Sequence, residues 1–432
     1  MIKRFLKDSF LYTLAALFTK GIGFLMLPIY TRVLSQQDYG TFDYLNAIGA
    51  FIAVLVALEI TQGIMRFAAE NQEDTSFTRR IVSTATWFSA GNYFIVILVC
   101  ILFSEAIAEL LLGDARKSDL IIIAVVNFSG AAMVYLINVT LRSQLRAKEA
   151  VVISAISAAF VACFSLVFIV VFDLGIYGLY VAQIMSALIV ILIGYYRLRF
   201  QIGFVFDKAI LKQMLSYSLP LVPSSLAIIV ALNSDRLMIK AMLGVESVAI
   251  YGVAVRFSSI ILLLMIGFQS ALTPLIYSKY KEPSTPKDVG ALFHWFMALS
   301  ALFIVALFLL RLPLTVLIAG QQYKEASDLI PLLALSSIYS SMYLFFPGLS
   351  IAKKTGLIAL INLFAAVFNV LLNFFFIKYI GVKGAAISTL ISSGVSWLAV
   401  AGTAQKFYKI QVNYLFVTGY VGISLILLFS SI

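Results

Sequence analysis

Four ionisable side chains stand inside apolar runs of this chain. Lys20 lies in FTKGIGFLMLPIY and Arg256 in IYGVAVRFSSIILL, while Asp43 and Glu59 fall on one run 16 residues apart. A charge within a bilayer costs about 2.5 kcal/mol or more, so each such residue asks for a partner or a task. Two cations facing one cavity would hold an anion too polar to cross lipid unaided. A diphosphate fits, because Arg offers a planar fork of donors and Lys a point charge. Asp43 and Glu59 are candidates for carrying a coupling H⁺ or Na⁺. Each also has a structural reading: Asp43 facing headgroups, Glu59 paired with Arg66. Asp235 and Arg236 end the seventh apolar run in LNSDRLMIK, as an interface anchor, a salt bridge or part of a gate. Asn369 and Asn373 are one helical turn apart and share a face, where amides serve either sugar hydroxyls or helix–helix contact. Arg32 and Arg66, at the ends of runs, are further candidates for substrate contact or gating. No catalytic constellation stands out, and one His with two Cys gives no basis for a His/Cys metal site. Cys100 and Cys163 lie in apolar runs and read as small buried hydrophobes.

The elements that must position these groups follow from composition. Of 432 residues, 62% are hydrophobic and 12% charged, with a mean hydropathy of +1.03. Soluble domains average about 45–50% apolar and about 25% charged. At about 20 apolar residues per span the chain holds twelve or thirteen membrane helices. A β-barrel, which alternates polar and apolar residues, is excluded. Apolar windows place spans near 10–33, 41–63, 81–103, 120–141, 150–172 and 176–196, then near 213–233, 246–272, 290–310, 328–349, 356–377 and 384–404. A last apolar stretch, 413–432, either crosses or lies on the bilayer. The basic start is followed by a run too long for a signal-peptide core. Lys and Arg divide twenty to nine between alternate sets of loops, which places the N-terminus in the cytoplasm. The formal charge of +11 therefore reads as a topology signal, with no nucleic-acid partner implied. The loops are all too short for a nucleotide-binding domain, and the sequence contains no G-x-x-x-x-G-K-[ST] phosphate loop. An ion gradient or the membrane potential would have to drive any transport.

The chain also repeats itself. Lys148–Gln183 lies on Lys354–Thr389 without a gap at a shift of 206 residues, pairing Gly175 with Gly381 and Gly178 with Gly384. Six spans separate the copies, so both have the same orientation, and the repeats are parallel ones related by an axis along the membrane normal. The expected fold is all-α: a six-helix lobe over 1–200, a basic cytoplasmic linker over 201–212, a second six-helix lobe over 213–408, and an extra apolar helix over 409–432.

The opening LYTLAALFTKGIGFLMLPIYTRVLSQQDYGTFDYLNA, then GIMRFAAE, then NSDRLMIKAMLGVESVAIYGVAVRF at the start of the second lobe, resemble the polysaccharide transporter family. That family includes the O-antigen flippases and belongs to the multidrug/oligosaccharidyl-lipid/polysaccharide flippase superfamily. The resemblance covers essentially the whole chain through Pro28, Thr31-Arg32, Tyr39-Gly40, Arg66-Phe67, Asp235-Arg236 and Tyr251. It implies a bacterial inner-membrane protein that moves undecaprenyl-diphosphate-linked repeat units from the cytoplasmic to the periplasmic leaflet. A polysaccharide polymerase and a chain-length regulator are possible partners. The related lipid II flippases carry essential basic residues that fall on Lys20 and Arg256. Their Arg-Asp pair farther along the first span is Met26-Leu27 here, which points to a lipid-linked oligosaccharide other than lipid II. Two other readings compete. A multidrug and toxin efflux antiporter takes amphipathic cations and would want acidic residues where Lys20 and Arg256 stand. A membrane polysaccharide polymerase or lipid-dependent glycosyltransferase would want a sizeable periplasmic loop.

Overall fold

The computed structural model describes residues 18, 21–71 and 74–431. Every regular element among them is helical. Eleven of the helices are long and apolar enough to cross a membrane, and Gly21–Val33 is a shorter apolar one. Lys20 lies outside the described residues. The described residues group into two compact units, 1–229 and 230–432.

The first unit begins with α1 (Gly21–Val33) and α2 (Gln36–Ala57). Ser35 caps α2: its Oγ accepts from the Asp38 amide at 3.0 Å and donates to the Asp38 carboxylate at 2.9 Å. The expected second span, 41–63, is not one continuous helix. Leu58 and Glu59 both take left-handed backbone, at φ 48° and 54°, and the chain resumes as α3 (Ile60–Gly63) and a π turn over Ile64–Ala68. The freed Val56 carbonyl is satisfied by Asn92 Nδ2 of α4 (Thr75–Leu102) at 2.9 Å. Asp43 and Glu59 therefore do not share a helix. After α5 (Ser104–Leu112) come α6 (Ser118–Ser143), α7 (Ala147–Ser165) with a π turn to Val171, and α8 (Gly175–Arg197). Ile60, Ile81, Leu136, Ile153, Val190 and Met214 lie at the heart of their apolar core.

The segment expected to be a basic linker, 201–212, is strapped to α4. Ser83 Oγ donates to Gln201 O and accepts from Gly203 N, Thr84 Oγ1 accepts from Asp207 N, and Trp87 Nε1 donates to Gly203 O at 2.8 Å. Asp207 then caps α9 (Lys208–Ser218) and pairs with Arg80. The unit boundary falls later, within α10 (Val222–Leu243).

The second unit is organised around α13 (Ala326–Ser341), whose membrane window is 78% buried. The helices α11 (Val245–Lys279), α12 (Thr285–Ala319) and α16 (Val382–Ala404) pack on it, with α14 (Gly348–Ile351) and α15 (Thr355–Ile380) completing the group. Trp295, Leu302 and Leu309 stand exposed along α12, as an outer helix facing lipid requires. The last stretch folds as α17 (Tyr414–Ser431), about 27 Å long at 1.5 Å per residue. Its Tyr420 hydroxyl bonds Ser300 at 2.9 Å.

The repeat found in sequence has a structural counterpart. Gly175 and Gly381 are both left-handed, at φ 54° and 64°. Three residues on, a Cβ at Gly178 would meet Phe168 O at 3.0 Å, and one at Gly384 would meet Phe376 O at 2.2 Å. In each unit a bare backbone lets the helix begin hard against the end of its predecessor.

Candidate functional site

The most concentrated buried polar chemistry described lies in the second unit, around Asp235. Hydropathy ends the seventh span before this residue, but α10 continues to Leu243, eight residues or about 12 Å beyond it. Asp235 is thus two turns inside the helix and 5% exposed. Its carboxylate accepts from Tyr251 Oη of α11 and Asn373 Nδ2 of α15, and lies 3.1 Å from Thr389 Oγ1 of α16. Thr389 has one proton and a second acceptor, Ala385 O at 2.9 Å, so it donates to one or the other. Asn373 Nδ2 also donates to Asn369 Oδ1 at 3.1 Å, and Asn369 Nδ2 reaches Ser392 Oγ at 3.2 Å. Four helices converge on one carboxylate, and a buried carboxylate is tolerated only with such donors. An acceptor-only group becomes a donor on protonation, so a proton arriving at Asp235 would oblige these partners to rearrange.

The neighbouring pair member behaves differently. Arg236 is half-buried, with Nη1 3.4 Å from Leu232 O in its own helix. Asp235 itself is buried and makes no ion pair among the described residues. It anchors a hydrogen-bonded network.

The same unit contains a cavity of about 490 Å³ lined by Gln269, Tyr339, Tyr343, Asn362, Ser396 and Trp397, among others. Tyr339 and Trp397 stack with ring centroids 5.1 Å apart, and the buried Trp397 Nε1 makes no hydrogen bond among the described residues. Aromatic faces beside amides and hydroxyls suit an amphipathic, hydroxylated ligand. Arg256 is half-buried on α11, 11 residues after Val245. Five residues from Tyr251, it lies about 140° around the helix from the Asp235 network.

In the first unit Asp43 is 8% exposed. Beside it the Phe42 and Tyr180 rings meet edge to face at 5.3 Å, and Asn127 Nδ2 donates to Gln183 Oε1 at 2.8 Å. Asp43 is thus a buried residue and does not face headgroups. Glu59 is half-buried at the helix break, and it does not pair with Arg66. Arg66 instead pairs with Glu70 at 3.4 Å and lies 4.5 Å over the Tyr217 ring. Arg32 is exposed at the end of α1. Cys100 is buried as expected, whereas Cys163 is exposed along α7.

Within the second unit the structure therefore brings together Asp235, Asn369 and Asn373. Sequence reasoning missed Tyr251 and Thr389 as partners of Asp235. A signal for Thr389 was present: the 206-residue repeat lays it on Gln183, a half-buried polar residue of the other repeat that also makes a cross-helix hydrogen bond.

Comparison with known proteins places this geometry. A MATE-family model matches residues 220–375, which include all of the Asp235 network except Thr389 and Ser392. In fold the chain resembles a multidrug resistance MATE family transporter of the MOP superfamily in an inward-facing conformation. The TM-score is 0.65 at 17% identity, covering 90% of this chain and 97% of that one. It resembles a Vibrio cholerae MATE transporter with a TM-score of 0.62 at 16% identity, covering 93% and 96%. A MOP superfamily transporter from Pyrococcus furiosus, described as having a binding pocket of reversed polarity, gives 0.58 at 16% identity over 93% and 95%. No curated protein matches the chain in sequence. MATE neighbours have been captured facing inward and facing outward, the two states of alternating access. The model described as polysaccharide biosynthesis protein matches residues 5–281, well over half the chain, and this multi-pass membrane protein belongs to that family.

Proposed function

We propose that the protein is a secondary flippase that moves undecaprenyl-diphosphate-linked oligosaccharide repeat units from the cytoplasmic to the periplasmic leaflet of a bacterial inner membrane, with its N-terminus in the cytoplasm. The observation that carries this reading is the polysaccharide biosynthesis match over residues 5–281. The products are O-antigen, capsule or exopolysaccharide, and a polymerase and chain-length regulator act downstream. Lys20 and Arg256 hold the diphosphate, and Arg32, Arg66 and Arg236 assist entry or gating. The aromatic and amide lining of the second unit's cavity suits sugar rings. Asp235, with Asn369 and Asn373, carries the coupling ion in the second unit, and Asp43 and Glu59 are further candidates in the first.

The driving force is adequate without nucleotide hydrolysis. Moving one charge through 100 mV is worth about 2.3 kcal/mol. A diphosphate with two negative charges leaving a cytoplasm that is negative inside therefore gains about 4–5 kcal/mol at that potential. A proton entering through Asp235 adds to this.

The test is complementation. Expression in flippase-null strains with different repeat units should restore surface polymer in at least one, and Arg256→Ala should abolish it at unchanged protein level. A second reading, multidrug efflux, is favoured by the MATE match over residues 220–375 and by a buried carboxylate suited to cation coupling. The same strains separate the two. Lowered accumulation of cationic dyes with no polymer in any strain would replace the first reading with the second.

A further inference from the structure

The first unit contains a second, more open cavity of about 920 Å³. Arg79, Arg80 and Arg146 line it, with Gln144, Gln201 and Phe200. Two of the arginines are committed to carboxylates. Arg80 pairs with Asp207, and Arg146 grips Glu149 with two bonds of 2.7 Å. Arg79 has no carboxylate partner among the described residues. Its guanidinium lies against Gly203, where an added Cβ would sit 2.7 Å from Nη2, so the bare glycine makes room for it. Gln144 is oriented by Arg146, whose Nη1 donates to its Oε1 at 3.2 Å. That leaves Gln144 Nε2 buried with no hydrogen-bond partner, and Gln201 Oε1 likewise. An unpaired guanidinium lining the same cavity as an unsatisfied amide donor is an arrangement that a phosphate oxygen satisfies.

The rim indicates where such a phosphate comes from. Phe200, Phe204 and Phe206 are exposed at 72%, 92% and 48%, and Phe204 stacks on Trp87 at 5.4 Å. Arg199 lies 4.4 Å over the Tyr196 ring and 4.9 Å over Phe200. Aromatic rings mixed with Arg are the composition of a segment seated at headgroup depth. A soluble anion would have no use for this greasy rim, whereas a lipid headgroup arrives along it.

We propose that this cavity binds the phosphate or diphosphate headgroup of a membrane lipid, with Arg79 and Gln144 Nε2 as the principal donors. The site is independent of the transport reading above. Both bilayer phospholipid and polyprenyl diphosphate present the required chemistry.

The test uses the purified full-length protein in mild detergent and reads retained lipid by native mass spectrometry. The probes are phosphatidylglycerol, phosphatidylcholine, a polyprenyl diphosphate and inorganic diphosphate. Wild type should retain at least one of the two anionic lipids in preference to phosphatidylcholine, and the preferred probe identifies the source. Arg79→Gln should lower that retention at least about tenfold, as expected for loss of a charge-assisted contact. Gln144→Leu should lower it less. Arg116→Gln, beyond the far end of the 28-residue α4, should leave it unchanged. Thermal stability measured alongside separates loss of binding from loss of fold, and Gln144→Leu decides the matter if Arg79→Gln does not fold. Equal retention by Arg79→Gln and Arg116→Gln overturns the proposal. So does retention of inorganic diphosphate with neither lipid.

Discussion

Replacing Asp235 separates its structural role from its coupling role. In Asp235→Ala, Tyr251 Oη and one N–H of Asn373 lose their acceptor, while Thr389 keeps Ala385 O and Asn373 keeps Asn369 Oδ1. A buried donor left unsatisfied costs about 1–3 kcal/mol, so two of them destabilise the second unit by about 2–6 kcal/mol. Asp235→Asn keeps one oxygen and the side-chain volume. The Tyr251 hydroxyl can turn to accept from the new amide, and the expected cost is about 1 kcal/mol. Thermal unfolding of the detergent-solubilised protein should therefore rank wild type, Asn and Ala in descending order. If a carboxylate proton couples transport, Asp235→Asn should nonetheless lose transport at least about tenfold, a barrier change of about 1.4 kcal/mol, and lose its response to the proton gradient. Wild-type transport by Asp235→Asn would remove Asp235 from the coupling. Equal stability of the Ala and Asn variants would refute the network argument itself.

Other expectations follow from the same packing and charge arguments. Arg256→Ala should abolish surface polymer at normal protein level, whereas Arg256→Lys should retain part of it, since charge survives and the planar fork does not; immunoblotting beside polymer staining reads both. Gly384→Ala forces a Cβ to 2.2 Å from Phe376 O and should destabilise by about 1–3 kcal/mol, with Gly178→Ala, at 3.0 Å, milder. Thermal stability by fluorescence-detected size exclusion would rank the two. Arg80 and the capped amides of α9 hold the Asp207 carboxyl below its ordinary value of 3.8. Its contribution to stability is therefore full above that value and is lost as pH falls through the lower, folded one. Asp207→Asn should flatten the acid limb of the thermal-stability profile by lowering the neutral region toward the acid value, since Asn still caps α9 but carries no charge for Arg80.

The reading of single residues failed where it depended on helix geometry. Asp43 and Glu59 look like two carboxylates on one helix until Leu58 and Glu59 turn left-handed and break it, a change that no apolar run records. Asp235 looks like the end of a span because hydropathy counts the charge without its partners. Once Tyr251, Asn373 and Thr389 supply donors, the helix proceeds two more turns. The linker 201–212 reads only as a connection between lobes, yet Ser83, Thr84 and Trp87 fasten it to α4.

By itself the sequence determined a polytopic helical protein, the approximate place of most of its long apolar helices, the internal repeat, and the glycines at which that repeat turns. These properties follow from hydrophobic length and from backbone sterics, both of which are local. The tertiary structure alone decided which buried polar groups meet. Asp235 is 138 residues from Asn373 and 154 from Thr389. In a membrane interior the cost of an unpaired charge is cancelled only by partners that packing brings across such distances, and hydropathy, being a sum over neighbours in sequence, has no access to them.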